Sequence, residues 1–113
     1  MEVVKRIATI LDDKKAQNIE IFEVADVTSL TEYMVLATGT SSTQIRALAG
    51  YVEEILKKED GIMIHHSEGY NDTGWILLDY GHVVVHVFEA SMREHYKLEK
   101  LWETAKKIEL GTL

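Results

Sequence analysis

Two apolar runs in the second half of the chain, residues 75–80 and 83–88, are separated only by Gly81 and His82. Runs of this length that are rich in β-branched, aromatic and other apolar residues are typical of strands. A two-residue connection that contains glycine is typical of a tight turn between antiparallel strands. The segment therefore predicts a β-hairpin, and the rest of the chain must supply a sheet around it.

Three other segments carry apolar residues at three- and four-residue steps, which is the period of an amphipathic helix. The first covers residues 3–17. The second follows Ser41, which has capping-box spacing with Gln44, and it ends by Gly61, which can adopt a left-handed cap. The third opens with the same capping spacing and is expected over residues 91–108.

Strand character is also present in residues 19–24, 33–38 and 62–66. Together with the hairpin and the helices, these segments give the order α-β-β-α-β-β-β-α. A mixed sheet of about five strands covered by helices is the natural packing for that order. Because the chain contains no repeat and no Pro/Gly/Ser-rich linker, we expect a single α/β domain over residues 1–113.

Composition favours a small domain that remains in the cytoplasm. The chain has no cysteine, so it can form neither a disulfide nor a thiolate zinc site. No apolar run approaches the roughly 20 residues needed to cross a bilayer, and the first residues lack the cleavage pattern of a signal peptide. The net charge of −7 argues against broad affinity for nucleic acid or anionic lipid.

The hairpin lies inside a long window, residues 59–92, that contains no Lys or Arg. Its exposed part must therefore be acidic, and it is also aromatic. Such a surface suits a basic protein partner, whereas phosphates are drawn to Lys and Arg. The carboxylates and aromatic residues of this window are Glu59, Asp60, Glu68, Asp72, Asp79, Glu89, Tyr70, Trp75, Tyr80 and Phe88.

Three separated segments resemble the ribosomal silencing factor family, also called the Iojap-like family. They are the hairpin, residues 29–54 and residues 93–105. Two positions depart from the family's usual sequence, since Glu32 and His82 occupy positions where Asp is common. The resemblance implies an α/β domain that binds the fourteenth protein of the large ribosomal subunit and prevents the small subunit from joining. It thereby implies translation repression without catalysis and without a cofactor.

The acidic window and the resemblance together indicate a partner-binding surface on the hairpin. Because side chains alternate along a strand, Trp75, Leu77 and Asp79 share one face. The alternating positions are more apolar and should face the core, with the Tyr80 ring at the end of the sheet and its hydroxyl free. Trp75 is either a packing residue or an interface anchor. The candidate partner-binding residues are Trp75, Leu77, Asp79, Tyr80, Glu68 and His82.

The alternative interpretation is an enzyme that binds or transfers a nucleotide. Residues 39–42 lie between a strand and a capped helix, where backbone amides can hold a phosphate. The fold that the family implies resembles nucleotidyltransferases, which place a Gly-Ser turn near paired aspartates that bind magnesium. Here Glu32 stands alone before Tyr33, and no Asp-x-Asp follows on a neighbouring strand. Without paired carboxylates the main electrostatic device for such chemistry is missing, so we favour the fold without the catalysis.

Histidine spacing argues against a shared metal site. His82 and His86 are four residues apart in a strand-like run, which separates them by about 13 Å. The adjacent His65 and His66 would face opposite sides of a strand. His86, between two valines, is expected to be a core or sheet histidine.

A homodimer is the remaining partner expectation. Leu98, Leu101 and Trp102 give the third helix more apolar area than a short amphipathic helix usually needs. These residues are expected either to cover the sheet or to serve self-association.

Overall fold

Helices and strands alternate along the chain in nearly the predicted order. The computed structural model describes residues 2–70, 74–96 and 105–108. No helix in these ranges is long and apolar enough to span a membrane. The helices are α1 (Glu2–Asp13), α2 (Ser42–Asp60) and α3 (Ala90–Tyr96), and the strands are β1 (Gln17–Glu23), β2 (Tyr33–Gly39), β3 (His66–Glu68), β4 (Trp75–Asp79), β5 (Val83–Glu89) and β6 (Lys106–Ile108).

The described strands form one mixed sheet in the order β3-β4-β5-β2-β1-β6. The two central strands, β2 and β5, run parallel, and the other neighbouring pairs are antiparallel. A parallel pair needs a long crossover, which α2, β3 and β4 provide here. The predicted mixed α/β sheet covered by helices is therefore confirmed.

The predicted hairpin is β4 and β5. The backbone N–H of Tyr80 donates to the carbonyl of Val83 at 2.9 Å, which leaves Gly81 and His82 as the connection. Gly81 has a φ of 88°, a conformation that glycine adopts without the clash that a Cβ would cause. The positive φ of this turn position therefore explains why the connection contains a glycine.

The larger core lies between one face of the sheet and the helices α1 and α2. Each helix buries an apolar stripe at helical spacing, as the sequence predicts. On the strands, alternate residues point into this core. Its buried members include Val4, Ile7, Ala8, Leu11, Ile45, Leu48, Val52, Leu56, Ile21, Val35, Ala37, Ile76, Leu78, Val85 and Val87.

The predicted caps of α2 are both present. The Ser41 hydroxyl accepts from the backbone N–H of Gln44 at 3.1 Å. The side-chain oxygen of Gln44, Oε1, reaches back one residue further than expected and accepts from the backbone N–H of Thr40 at 2.5 Å. Gly61 takes the left-handed cap with a φ of 67°. These contacts fix the point where β2 passes into the helix.

Two boundaries differ from the sequence prediction. The expected strand at residues 62–66 starts only at His66, because the preceding residues connect α2 to the sheet and Ile62 and Ile64 pack against the core. The sequence predicts a third helix through residue 108, but Lys106–Ile108 is strand β6, paired with β1. Leu98, Leu101 and Trp102 lie outside the described residues.

Candidate partner-binding surface

The second face of the sheet is divided between a packed part and an open part. Helix α3 lies over β2 and β5, and its Met92 packs beside a cluster of Phe22, Val24, Leu36 and Phe88. On β4, by contrast, burial alternates along the strand, and Trp75, Leu77 and Asp79 stay partly exposed. This confirms the predicted division of the strand into a core side and a partly exposed side. We call Trp75, Leu77 and Asp79, with Glu68 of β3, the open face.

Trp75 is half-buried at the boundary between the two parts. Its ring centroid lies 5.9 Å from that of Phe88 and 5.8 Å from that of His86. Its indole nitrogen, Nε1, donates a hydrogen bond to Nδ1 of His86 at 3.0 Å. One edge of the indole is thus fixed in the packed part, and the side chain as a whole remains partly exposed.

His86 supports Trp75 from β5. It is 6% exposed, and burial lowers its pKa from 6.5 to about 4, because an imidazolium would lose its hydration there. The ring is therefore neutral at physiological pH, with Nδ1 as acceptor and the proton on Nε2. The prediction of a sheet histidine is confirmed, and its acceptor nitrogen is already occupied by the indole.

Carboxylates stand beside the apolar residues of the open face. Asp79 Oδ1 accepts from the backbone N–H of Gly81 at 2.7 Å, which holds this carboxylate at the end of the hairpin. Glu68 pairs with Leu77 across β3 and β4, so both side chains lie on the same face. The open face therefore combines an indole, a leucine and two carboxylates.

Tyr80 does not belong to the open face. It is 3% exposed, and it packs in the core on the helix-covered side, where burial raises the pKa of its hydroxyl. The expectation of a free hydroxyl at the end of the sheet is wrong. The physical reason is strand alternation, which places Tyr80 with Ile76 and Leu78. Its hydroxyl finds no hydrogen-bond partner among the described residues.

His82 lies exposed on the hairpin turn, at the rim of the open face. Its carbonyl oxygen accepts from the backbone N–H groups of Glu32 at 3.1 Å and Tyr33 at 3.0 Å. The turn is thus anchored to the start of β2. Of the six candidate residues, the structure brings five to one side of the hairpin or its rim.

Two further residues of this surface were missed in the sequence. His66 pairs with Asp79 across β3 and β4, and its Nε2 lies 3.4 Å from Glu68 Oε2. Val84 pairs with Asp79 on the other side and is partly exposed. Counting outward from the Gly81-His82 turn would have placed Val84 opposite Asp79. Nothing comparable fixes His66, because the β3 register is not set by a tight turn.

The Gly39 turn has a packing explanation. A Cβ on Gly39 would lie 2.6 Å from Cγ2 of Ile45, so the helix can approach this closely only at a glycine. The backbone N–H groups of Thr40 and Gln44 already donate to side chains of the cap. Two of the amides that a phosphate would need are thus engaged. Within the described ranges, no three His, Cys, Asp or Glu residues gather in a way that could hold a metal ion.

The fold and the open face together define a class: an α/β domain with one mixed sheet whose distinctive exposed feature is an acidic, aromatic sheet surface. The family described as "Ribosomal silencing factor during starvation" matches residues 1–113. The chain therefore belongs to the ribosomal silencing factor family, as the sequence resemblance indicates.

A bacterial relative shares the sequence over most of its length, and a solved structure shares the fold. The ribosomal silencing factor of Halalkalibacterium halodurans is 35% identical over 109 residues, which cover 96% of this chain and 92% of the relative. A crystal structure of a protein from Chromobacterium violaceum matches with a TM-score of 0.86 at 40% identity, covering 90% of this chain and 84% of that one. A mouse protein named "Mitochondrial assembly of ribosomal large subunit protein 1" is 29% identical over 100 residues, which cover 85% of this chain and 43% of that protein.

Proposed function

We propose that this protein is a non-enzymatic factor that binds the large ribosomal subunit through its fourteenth protein. Bound there, it sterically prevents the small subunit from joining and so represses translation in the cytoplasm. Membership of the ribosomal silencing factor family supports a role on the ribosome. The name of the mouse relative, which refers to assembly of the large subunit, supports the choice of subunit.

The open face is the observation that carries this proposal. Tryptophan is among the residues that dominate binding energy at protein interfaces, and Trp75 is held in place by His86 and Phe88. A side chain that is already ordered loses little entropy when a partner covers it. Glu68 and Asp79 lie on the same face of the sheet in a window without Lys or Arg, so a basic ribosomal protein is the complementary partner.

A subunit-joining experiment tests the mechanism. Purified large subunits are incubated with the protein before small subunits are added, and the yield of whole ribosomes is measured by sedimentation. We expect a lower yield with no nucleotide present, and a smaller effect when the protein is added after joining. Binding to the large subunit without reduced joining would defeat the steric mechanism while leaving the docking surface intact.

The enzyme alternative has a separate test. Calorimetric titration with ATP or GTP and magnesium should show no binding, because the backbone N–H groups of Thr40 and Gln44 are already engaged by the side chains of Gln44 and Ser41. Clear micromolar binding would instead favour a nucleotide-dependent activity at that turn. Sedimentation equilibrium of the protein alone tests the expected homodimer.

A further inference from the structure

The loop between β1 and β2, residues 24–32, presents apolar side chains to solvent. Leu30 is 87% exposed and Val27 is 43% exposed. Leu30 is the most exposed large apolar side chain among the described residues. A single exposed leucine is ordinary, but two exposed apolar residues three positions apart in one loop offer a partner two apolar contacts.

The backbone of this loop is held in a defined conformation. The N–H of Val24 donates to the carbonyl of Glu32 at 2.8 Å, which closes the base of the loop. The N–H of Thr28 donates to the carbonyl of Val24 at 3.0 Å, and the Thr28 hydroxyl accepts from the N–H of Leu30 at 3.1 Å. These bonds do not involve the Leu30 side chain. That side chain is therefore exposed to solvent without being needed to hold the loop conformation.

The loop stands at the end of the sheet where the open face has its rim. The N–H groups of Glu32 and Tyr33 both donate to the His82 carbonyl, so the base of the loop touches the hairpin turn. Strand β2 lies two positions from β4 in the sheet, which corresponds to about 10 Å. A protein that covers Asp79 and His82 is thus within reach of the loop.

Charge selects the partner for these two apolar contacts. Residues 16–45 contain no Lys or Arg, and they include Glu23, Asp26 and Glu32 in or beside the loop. The loop and the hairpin are therefore two segments without Lys or Arg at the same end of the sheet, and Lys106 of β6 pairs with Glu23 at the base of the loop. A second copy that docked through this end would place acidic segments against each other, whereas a basic protein would meet complementary charge on both.

We propose that Val27 and Leu30 are a second apolar contact for the same basic protein that covers the open face. This inference rests on the proposed function and extends its docking surface beyond the hairpin. The partner would place an apolar patch, flanked by Lys or Arg, against these two side chains. Trp75 and Leu30 would then contact two separate points of one partner and fix its orientation.

The test is the affinity of the Leu30→Ser variant for purified large subunits. Burial of a leucine side chain contributes favourable free energy to binding. Replacing Leu30 by serine should therefore weaken binding by about tenfold, mainly through faster dissociation. The matched control is Met63→Ser, because Met63 is 58% exposed outside the loop, beside a cavity that is lined by Glu53 and Glu54 as well as Lys57 and Lys58. Both variants should melt as the wild type does, and only Leu30→Ser should bind more weakly.

The outcomes separate this inference from the proposal beneath it. Failure of the wild type to bind large subunits would overturn both. Wild-type binding that Leu30→Ser leaves unchanged would overturn only the loop contact. A Leu30→Ser variant that loses self-association yet binds large subunits normally would assign the two apolar contacts to a second copy and likewise overturn the proposal.

Discussion

The indole nitrogen of Trp75 donates to Nδ1 of His86 at 3.0 Å, and this bond joins the open face to the interior of the sheet. The two residues lie on neighbouring strands. The direct cross-strand partner of His86 is Leu77, so Trp75 contacts His86 diagonally. A neutral imidazole is required, because the imidazolium would present a donor at the nitrogen that now accepts. The low pKa of His86 keeps its imidazole neutral, and the neutral imidazole accepts the hydrogen bond that orients Trp75.

The first prediction concerns acid sensitivity. Burial lowers the pKa of His86 to about 4 in the folded chain. Below pH 6.5 the imidazole is therefore protonated in the unfolded chain but stays neutral in the folded chain until the pH approaches 4. The contribution of the neutral His86 to the free energy of unfolding is fully present above pH 6.5. It decreases by about 3 kcal/mol as the pH falls from 6.5 to 4. His86→Asn should remove this component while keeping an acceptor near the indole. Urea unfolding between pH 7 and pH 4 measures the difference in slope.

Carboxylates also titrate in this range, but their contribution is common to wild type and variant. His82→Asn is the matched control, because His82 is exposed on the turn. Its stability should follow the wild-type dependence on pH. Equal pH dependence in wild type and His86→Asn would show that the buried imidazole does not cause the acid sensitivity.

The second prediction uses two adjacent leucines that point to opposite faces of β4. Leu78 is fully buried, so Leu78→Ala should lower the free energy of unfolding by about 2–5 kcal/mol. Leu77 is only partly buried, so Leu77→Ala should cost about 1 kcal/mol or less and should weaken large-subunit binding. Denaturant unfolding and a binding titration are needed for both. The reverse pattern would place the partner on the other side of the strand.

Strand alternation explains how much of this site can be predicted from the sequence. The turn at Gly81 fixes the hairpin register, and the register fixes which residues share a face with Trp75. Tyr80 follows the same rule, and its burial shows that aromatic character alone does not identify a surface residue. The contact with His86 is not predictable at this level, because it depends on a diagonal approach across two strands.

The C-terminal strand marks the limit of periodicity. Ala105 and Ile108 are three residues apart, which fits a helix, yet Lys106–Ile108 forms an edge strand on β1. A segment of three residues carries too little pattern to separate a period of 3.6 from a period of 2. The partner strand supplies the missing information, since Ile108 pairs with Ile21 and Lys107 Nζ lies 2.9 Å from Glu20 Oε2.

The third prediction concerns Trp75 itself. Trp75→Ala should weaken large-subunit binding by about 2 kcal/mol or more if the indole is a central anchor. It should also lower the free energy of unfolding by about 1–3 kcal/mol, because His86 loses its donor. Trp75→Phe keeps an aromatic ring but loses the N–H together with part of the indole, so its cost is an upper bound on the contribution of the hydrogen bond. Unchanged binding in a folded Trp75→Ala variant would remove Trp75 from the interface.

The last prediction separates charge from contact. Asp79→Asn removes the negative charge but retains an oxygen that can accept from the Gly81 N–H, so the turn should remain folded. If the partner is basic, association with large subunits should slow by about two- to fivefold at low salt, since charge steers encounter. The difference should shrink near physiological salt, where screening acts over about 8 Å. Stopped-flow association rates at several salt concentrations measure both effects.

Asp13→Asn is the matched control for Asp79→Asn, because it makes the same change of net charge at an exposed position at the end of α1. Its association rate should stay close to that of the wild type at every salt concentration. If both variants slow equally, then overall charge steers association rather than the open face. If neither variant slows and the wild-type rate is indifferent to salt, the partner is not recognised by charge, and docking would have to rest on Trp75 and Leu77.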